Sequence, residues 1–283
     1  MKKVLAISTA LVLLLTSLIS CTASGRYKAL VIGASDGEHV GDYKIDKELN
    51  IKTYNDPGAA REKMIDFNGK QIDTEYKYSV KDILYQSDWD YYACKSDNSE
   101  FGINKDTGEI DYYYAIYAYD NPDAEQLTYE SCLAIATEQL SKRVDPSDYQ
   151  MTWQENSFDK NIYTFYFARY INDVPTRDSA RIEVSKFGDL THYYYSCLGV
   201  MKNVELPSEE NRSKINAAVE ERLRHIYEGK EDTFNIAYNA KQMFFDRLID
   251  GNYAMVFEYD VEFSSGGDKY GSYSELITLV VYV

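Results

Sequence analysis

The sequence predicts an α+β fold: tandem units of one helix packed on an antiparallel β-sheet, preceded by a β-rich N-terminal region. Three observations lead there. Only two segments carry apolar residues at helical spacing. The rest is rich in tyrosine, phenylalanine, valine and isoleucine between Gly, Asn and Asp turn signals. And the order of one helix followed by several strands occurs twice.

From about Arg26 to Ala118 the chain has strand character and no long helical pattern. Asp66-Phe67-Asn68-Gly69-Lys70 marks a hairpin turn. Phe101 to Ile110 reads as strand, tight turn, strand, with Gly108 where a positive φ is needed. The first helix is expected over Leu127–Arg143, with Thr128 as N-cap, Glu130 in the first turn, and Tyr129, Cys132, Leu133, Ala136 and Leu140 along one face. Strands follow at Ile162–Ile171 and Ala180–Ser185, joined by Asn172-Asp173-Val174-Pro175. A turn at Gly188-Asp189 leads into Leu190–Cys197. The second helix is expected over Ser208–Tyr227, with Ile215, Val219, Leu223 and Ile226 in a stripe and Gly229 as its stop. Strands at Phe234–Leu248, Tyr253–Phe263 and Leu276–Val283 close the chain, with turns at Asp250-Gly251-Asn252 and Ser264–Asp268. The borders implied are 1–20, 21–118, 119–200 and 201–283.

The runs FGINKDTGEI, YESCLAIATEQL, NIYTFYFARYINDVP and ARIEVSKFGDL together resemble the PepSY-type repeat of exported bacterial lipoproteins and metalloprotease propeptides. The residues that carry the resemblance are Asn104, Asp106, Gly108, Ala134, Ala136, Arg169, Asn172, Pro175 and Gly188, with Asp173 where the pattern has glycine. It covers about residues 100 to 200 well and 201 to 283 weakly. These are turn and packing positions, so the resemblance implies a fold and a regulatory relation to extracellular peptidases, and no catalytic residue.

The N-terminus reads as a secretory signal: Lys2 and Lys3, an apolar stretch from Val4 to Leu15, then a polar exit, too short for a membrane span. Leu18-Ile19-Ser20-Cys21 resembles a lipobox, which implies a lipidated Cys21 as mature N-terminus and a location on the outer face of the cell membrane. The formal charge is −16, and loss of Lys2 and Lys3 with the signal takes it to −18. Such a polyanion is unsuited to nucleic acid or to lying on anionic lipid, and suits cationic partners or plain solubility. Cys94, Cys132 and Cys197 read as small buried residues. One pair could form a disulfide, and the spacing selects none.

No active site is expected. His39, His192 and His225 are widely separated and none belongs to an HExxH, so each reads as a surface histidine. Asn104, Asp106 and Glu109 resemble a calcium loop faintly and a tight turn more closely. Neither metal nor cofactor is expected. The oddity is 28 tyrosines, with runs at Tyr91-Tyr92, Tyr112 to Tyr114 and Tyr193 to Tyr195. Adjacent strand residues face opposite sides, so Tyr112 and Tyr114 turn inward and Tyr113 outward, or the reverse. Strand propensity and core filling explain most such rings, and exposed ones suit contacts at an interface. The functional expectation is a lipid-anchored extracytoplasmic binding or regulatory protein acting on an exported protein, with a peptidase as family-level candidate. A cell-wall or glycan binder using exposed tyrosines is the alternative.

Overall fold

A computed structural model describes residues 27–34, 52–82, 87–115, 125–156, 159–196, 198–248, 251–265 and 271–283. The signal segment, Cys21, His39, Cys197 and most of the Ser264–Asp268 turn lie outside the described residues. The architecture is α+β and dominated by sheet, with two α-helices among the described residues: α1 (Tyr129–Ser141) and α2 (Glu209–Ile226). Neither is long and apolar enough to cross a membrane. Chain contacts divide the molecule into two compact units, residues 47–206 with 244–252, and residues 1–46 with 207–243 and 253–283.

The larger unit is built on strands β2 (Lys52–Tyr54), β3 (Glu62–Phe67), β4 (Lys70–Asp82), β5 (Ser87–Cys94), β6 (Glu100–Asn104), β7 (Ile110–Tyr114), β8 (Gln150–Glu155), β9 (Ile162–Ile171), β10 (Val174–Ser185) and β11 (Leu190–Ser196). Their order is β8-β9-β10-β11-β7-β6-β5-β4, with β2 and β3 both paired to β4, and all these ladders are antiparallel. One parallel contact joins Thr176 to Phe245, so the sheet is mixed.

Two-residue turns explain the hairpins. Asn68-Gly69 joins β3 to β4 with φ of 51° and 75°, and Asn172-Asp173 joins β9 to β10 with φ of 46° and 65°. Both centres are left-handed, the type I′ geometry that matches strand twist and that Asn, Asp and Gly tolerate. The second turn corrects the expected Asn172–Pro175 connection. Val174 already pairs with Ile171 and Pro175 with Tyr170, so β10 begins six residues earlier than the apolar pattern suggested. The register then shifts between Pro175 and Ser179, a bulge that let the polar run Thr176-Arg177-Asp178 pass for loop.

Helix α1 starts where Thr128 accepts the Ser131 amide, and buries Cys132, Ala136 and Leu140 against Phe101, Tyr113, Phe165, Ile182, Val184, Tyr193 and Tyr195. Of the two alanines expected on its packing face only Ala136 is buried; Ala134 is exposed, because two positions along a helix is a swing of about 200°. Cys94 and Cys132 are buried free thiols, the latter donating to the Ser185 carbonyl at 3.5 Å.

In the smaller unit Ser208 caps α2, which buries Ile215, Val219 and Leu223 and packs against β1 (Ala29–Ala34) and β14 (Ser272–Tyr282). The strand order is β1-β14-β13-β12, with β13 at Tyr253–Ser264 and β12 at Asn235–Arg247, of which residues 235–243 belong to this unit. β14 begins four residues before its expected start. Three of the four residues Ser272 to Glu275 are polar, yet they pair with Ser264 to Val261 as the hairpin's outer end.

Candidate functional site: the ring face of the larger sheet

Pleating divides each tyrosine run between two faces. Tyr92, Tyr113, Tyr193 and Tyr195 enter the core beneath α1 and are 2 to 4 % exposed. Of the two patterns open for Tyr112 to Tyr114, the structure takes the one with Tyr113 inward. Their neighbours Tyr91, Tyr112, Tyr114 and Tyr194 occupy the face opposite α1.

There the rings form a row across four strands. Tyr78 of β4 and Tyr91 of β5 stack with centroids 5.0 Å apart and 20° between planes. Tyr91 meets Tyr112 of β7 at 5.2 Å, and Tyr112 meets the His192 ring of β11 edge-on at 5.4 Å. Tyr114 closes on the other side of His192 at 5.9 Å. Trp89 lies below, almost fully buried, edge-on to Tyr91 and Tyr194.

The row crosses β6 only because β6 has a glycine there. Gly102 pairs with both Tyr91 and Tyr112, and a Cβ on it would stand 2.9 Å from the Tyr112 Cβ and 3.4 Å from the Tyr91 Cζ. With no side chain between them the two rings close over the strand. Tyr78 and Tyr114 remain 37 % and 39 % exposed at the ends of the row. Burial, and then the nearby Glu100 charge, pushes the Tyr112 hydroxyl up to about 12.

Beyond His192 the face becomes charged. Glu183 is almost fully buried and accepts from Thr164 Oγ1 at 3.3 Å, Asn156 Nδ2 at 3.4 Å and Arg181 Nε at 3.1 Å, with His192 Nδ1 3.9 Å away. Burial alone would raise this carboxyl, but His192 and Arg181 outweigh it and hold the group below the usual glutamate range. Arg181 also lies over the Tyr166 ring. His192 is thus half-buried between two tyrosines where a surface position was expected, whereas His225 is exposed on α2.

Other polar groupings of this unit are self-satisfied clamps. Asp178, fully buried in the β10 bulge, accepts from Tyr149 Oη at 2.6 Å, Arg169 Nε at 2.8 Å and the Gly199 amide at 2.9 Å, and Arg169 also reaches Asp148. Asp111 accepts from Asn104 Nδ2 and Arg143 Nη2. The Lys105 ammonium bonds Asp56 and Tyr54, with Asp88 and Asp90 about it.

The motif residues fall on this scaffolding. The Asn104 side chain accepts the Asp106 and Thr107 amides, Gly108 has φ of 74°, Asp106 is exposed and Glu109 lies 3.7 Å from Arg143 Nη1, the arrangement of a tight turn. Among the described residues no group of three or more His, Cys, Asp and Glu is placed to hold a metal. No serine motif of the GxSxG kind was expected, yet Gly33-Ala34-Ser35-Asp36-Gly37 has that spacing. A nucleophile elbow needs a strand leading into a helix at the top of an α/β sheet. β1 instead pairs antiparallel with β14, and Ser35 lies outside the described residues. A concavity of about 520 Å³ beside the C-terminal half of α1 is lined by Asn68, Gln139, Lys142 and Asp189. Its Lys142 ammonium is already bonded to Asn68 and Gln139.

Residues 65–197 match the family model described as the YcdB, YcdC repeated domain, a domain of unknown function, over slightly less than half of the chain. No curated protein matches. Two solved structures are loosely similar. One is the Bacillus megaterium YpeB C-terminal domain, at 10 % identity and TM-score 0.32, covering 85 % of this chain and 99 % of that one. The other is an uncharacterised protein from Eubacterium rectale, at 12 % identity and TM-score 0.31, covering 90 % and 83 %.

Proposed function

We propose that this protein is a non-catalytic binding protein, exported and tethered by lipid on Cys21 to the outer face of the cell membrane, that engages another exported protein through the ring face of its larger unit. The PepSY resemblance makes a peptidase the partner to test first. It also suggests that the two helix-then-strand segments are divergent copies of one unit.

The carrying observation is the ring row itself. Tyr78, Tyr91, Tyr112 and Tyr114 are packed side by side on β4, β5 and β7, with Tyr78 and Tyr114 exposed at the ends, and Gly102 is needed to build the row. Tyrosine contributes large contact area at small entropic cost and adds a hydroxyl, and it is enriched at protein interfaces for that reason. Sugar stacking prefers ring faces that are free. Tyr78 and Tyr91 spend facing surfaces on each other, which weighs against the glycan alternative.

The test is cross-linking in native membranes followed by mass spectrometry. Wild type, Tyr78→Ala/Tyr114→Ala and the unanchored Cys21→Ala form are compared. A protein recovered with wild type and lost with the tyrosine pair supports the reading. Equal recovery from both, or wall fragments alone, overturns it. Membrane retention of Cys21→Ala equal to wild type overturns the anchor separately.

A further inference from the structure

The larger sheet ends in two edges of different character. β3 carries Glu62, Lys63 and Asp66 among its six residues, the charges with which natural sheets discourage strand addition. β8 reads Gln-Met-Thr-Trp-Gln-Glu, with one charge at its very end and no lysine, proline or glycine. Its ladder with β9 runs without a register shift from Gln150–Ala168 to Glu155–Tyr163, so no bulge blunts it. Among the described residues β8 pairs with β9 alone.

The hydrogen-bond parity of that edge follows from its flanks. The Asn156 amide donates to the Ile162 carbonyl, and on the far side of β9 the Lys186 amide donates to the Asn161 carbonyl. In an antiparallel ladder bonded and non-bonded pairs alternate. Gln150, Thr152 and Gln154 therefore exchange bonds with β9, and Met151, Trp153 and Glu155 direct their N–H and C=O groups to the open side. On the helix side of the same edge stands Trp153, 47 % exposed and 4.6 Å from the Tyr129 ring at the start of α1.

We infer that β8 is a strand-addition site, taking an extended segment of a partner protein that lays an apolar side chain beside Trp153. Three outward N–H and three outward C=O groups recognise a polypeptide backbone and nothing in a glycan offers the same repeat. A second copy of this chain is disfavoured as occupant, since each copy carries a formal charge of −16, and the same charge favours a basic segment. The site is separate from the ring face and stands or falls without it.

The probe is a synthetic peptide of alternating lysine and valine, set beside the same peptide with alternate backbone amides N-methylated. Charge and side chains are then constant and only strand pairing is lost. The full chain is followed by amide hydrogen exchange and by affinity. The unmodified peptide is expected to slow exchange at Met151, Trp153 and Glu155. N-methylation should weaken binding roughly tenfold or more. Trp153→Ala should weaken it, and Tyr78→Ala leave it unchanged. Glu155→Pro removes an outward amide and the carboxylate that Lys186 Nζ meets at 3.0 Å, but no backbone bond to β9, so it should weaken the peptide while Glu155→Gln, which keeps the amide, binds it nearly as well as wild type. No binding, equal binding of the methylated peptide, or protection elsewhere overturns the proposal. So does protection of the three amides without peptide that rises with protein concentration, which would assign the edge to a second copy.

Discussion

The two faces of the larger sheet are made from the same strands and often from neighbouring residues, yet they do opposite things with tyrosine. Beneath α1, Tyr193 and Tyr195 stack at 4.7 Å and are almost wholly removed from water. One residue away, on the other face, Tyr194 stays partly wet, as does Tyr112 next to buried Tyr113. Composition therefore says little about a tyrosine run, and the strand period says which half is core. A ring on the core face acts through area removed from water, and a ring on the opposite face acts through what its outer end can still touch.

Truncation should separate the faces most sharply. Phe165→Ala, at a fully buried core position, is expected to cost about 3 to 5 kcal/mol, as large-to-small changes in well-packed cores do. Tyr78→Ala, at the exposed end of the ring row, should cost roughly 0.5 kcal/mol or less. Urea denaturation of both variants measures the gap. Equal losses would mean that the ring row is a second core.

Next comes the glycine that lets the rings close over β6. Gly102→Ala puts a methyl 2.9 Å from the Tyr112 Cβ, which is anchored to backbone and cannot swing away. Overpacking of this kind costs about 1 to 3 kcal/mol. Tyrosine fluorescence and near-ultraviolet dichroism should report the row opening while α1 helicity holds.

How far these contrasts were legible in the sequence depends on the kind of signal. Turns were readable because their chemistry is local: Asn68-Gly69, Gly108 and Thr128 do what their residue types dictate. Arg169 and Asp178 were not readable as partners. They form a cross-strand pair around a bulge, and a bulge leaves no period in the sequence. The ring row was half legible. Alternation predicted two faces, but which tyrosines lay inward depended on register with β5 and β11, fixed by residues far along the chain. Nor did helix patterning indicate that β3 to β7 share one core with α1, since a strand's own residues do not name the element that covers it. Trp153 lies in a segment, Gln150–Glu155, where no strand was expected, and only the sheet order exposes it as an edge residue.

A titration sharpens the comparison without mutation. Tyrosines free in water ionise near pH 10. Tyr112 is held up to about 12 by burial and then by Glu100, and burial pushes Tyr193 and Tyr195 higher still. Absorbance of tyrosinate should therefore rise in stages, exposed rings first, Tyr112 later, and the core rings only as the fold opens. A single step near pH 10 would contradict the partition.

The smallest expected effect concerns Glu183, where the ring face turns polar. Its folded carboxyl sits below the ordinary glutamate value because His192 and Arg181 outweigh burial. A depressed carboxyl contributes stability that is complete above the unfolded value, about 4.3, and is lost as pH falls through the lower folded value. Glu183→Gln should thus be less stable than wild type at neutral pH, and the difference should shrink steadily as pH drops below about 4. Thr164, Asn156, Arg181 and His192 all face the carboxyl, and glutamine can still accept from Thr164 while losing the charge that Arg181 meets. Paired urea melts across that range test the sign. A difference independent of pH would mean that the Glu183 side chain acts by shape and hydrogen bonding alone, and that the charge at the end of the ring row does not contribute to holding it.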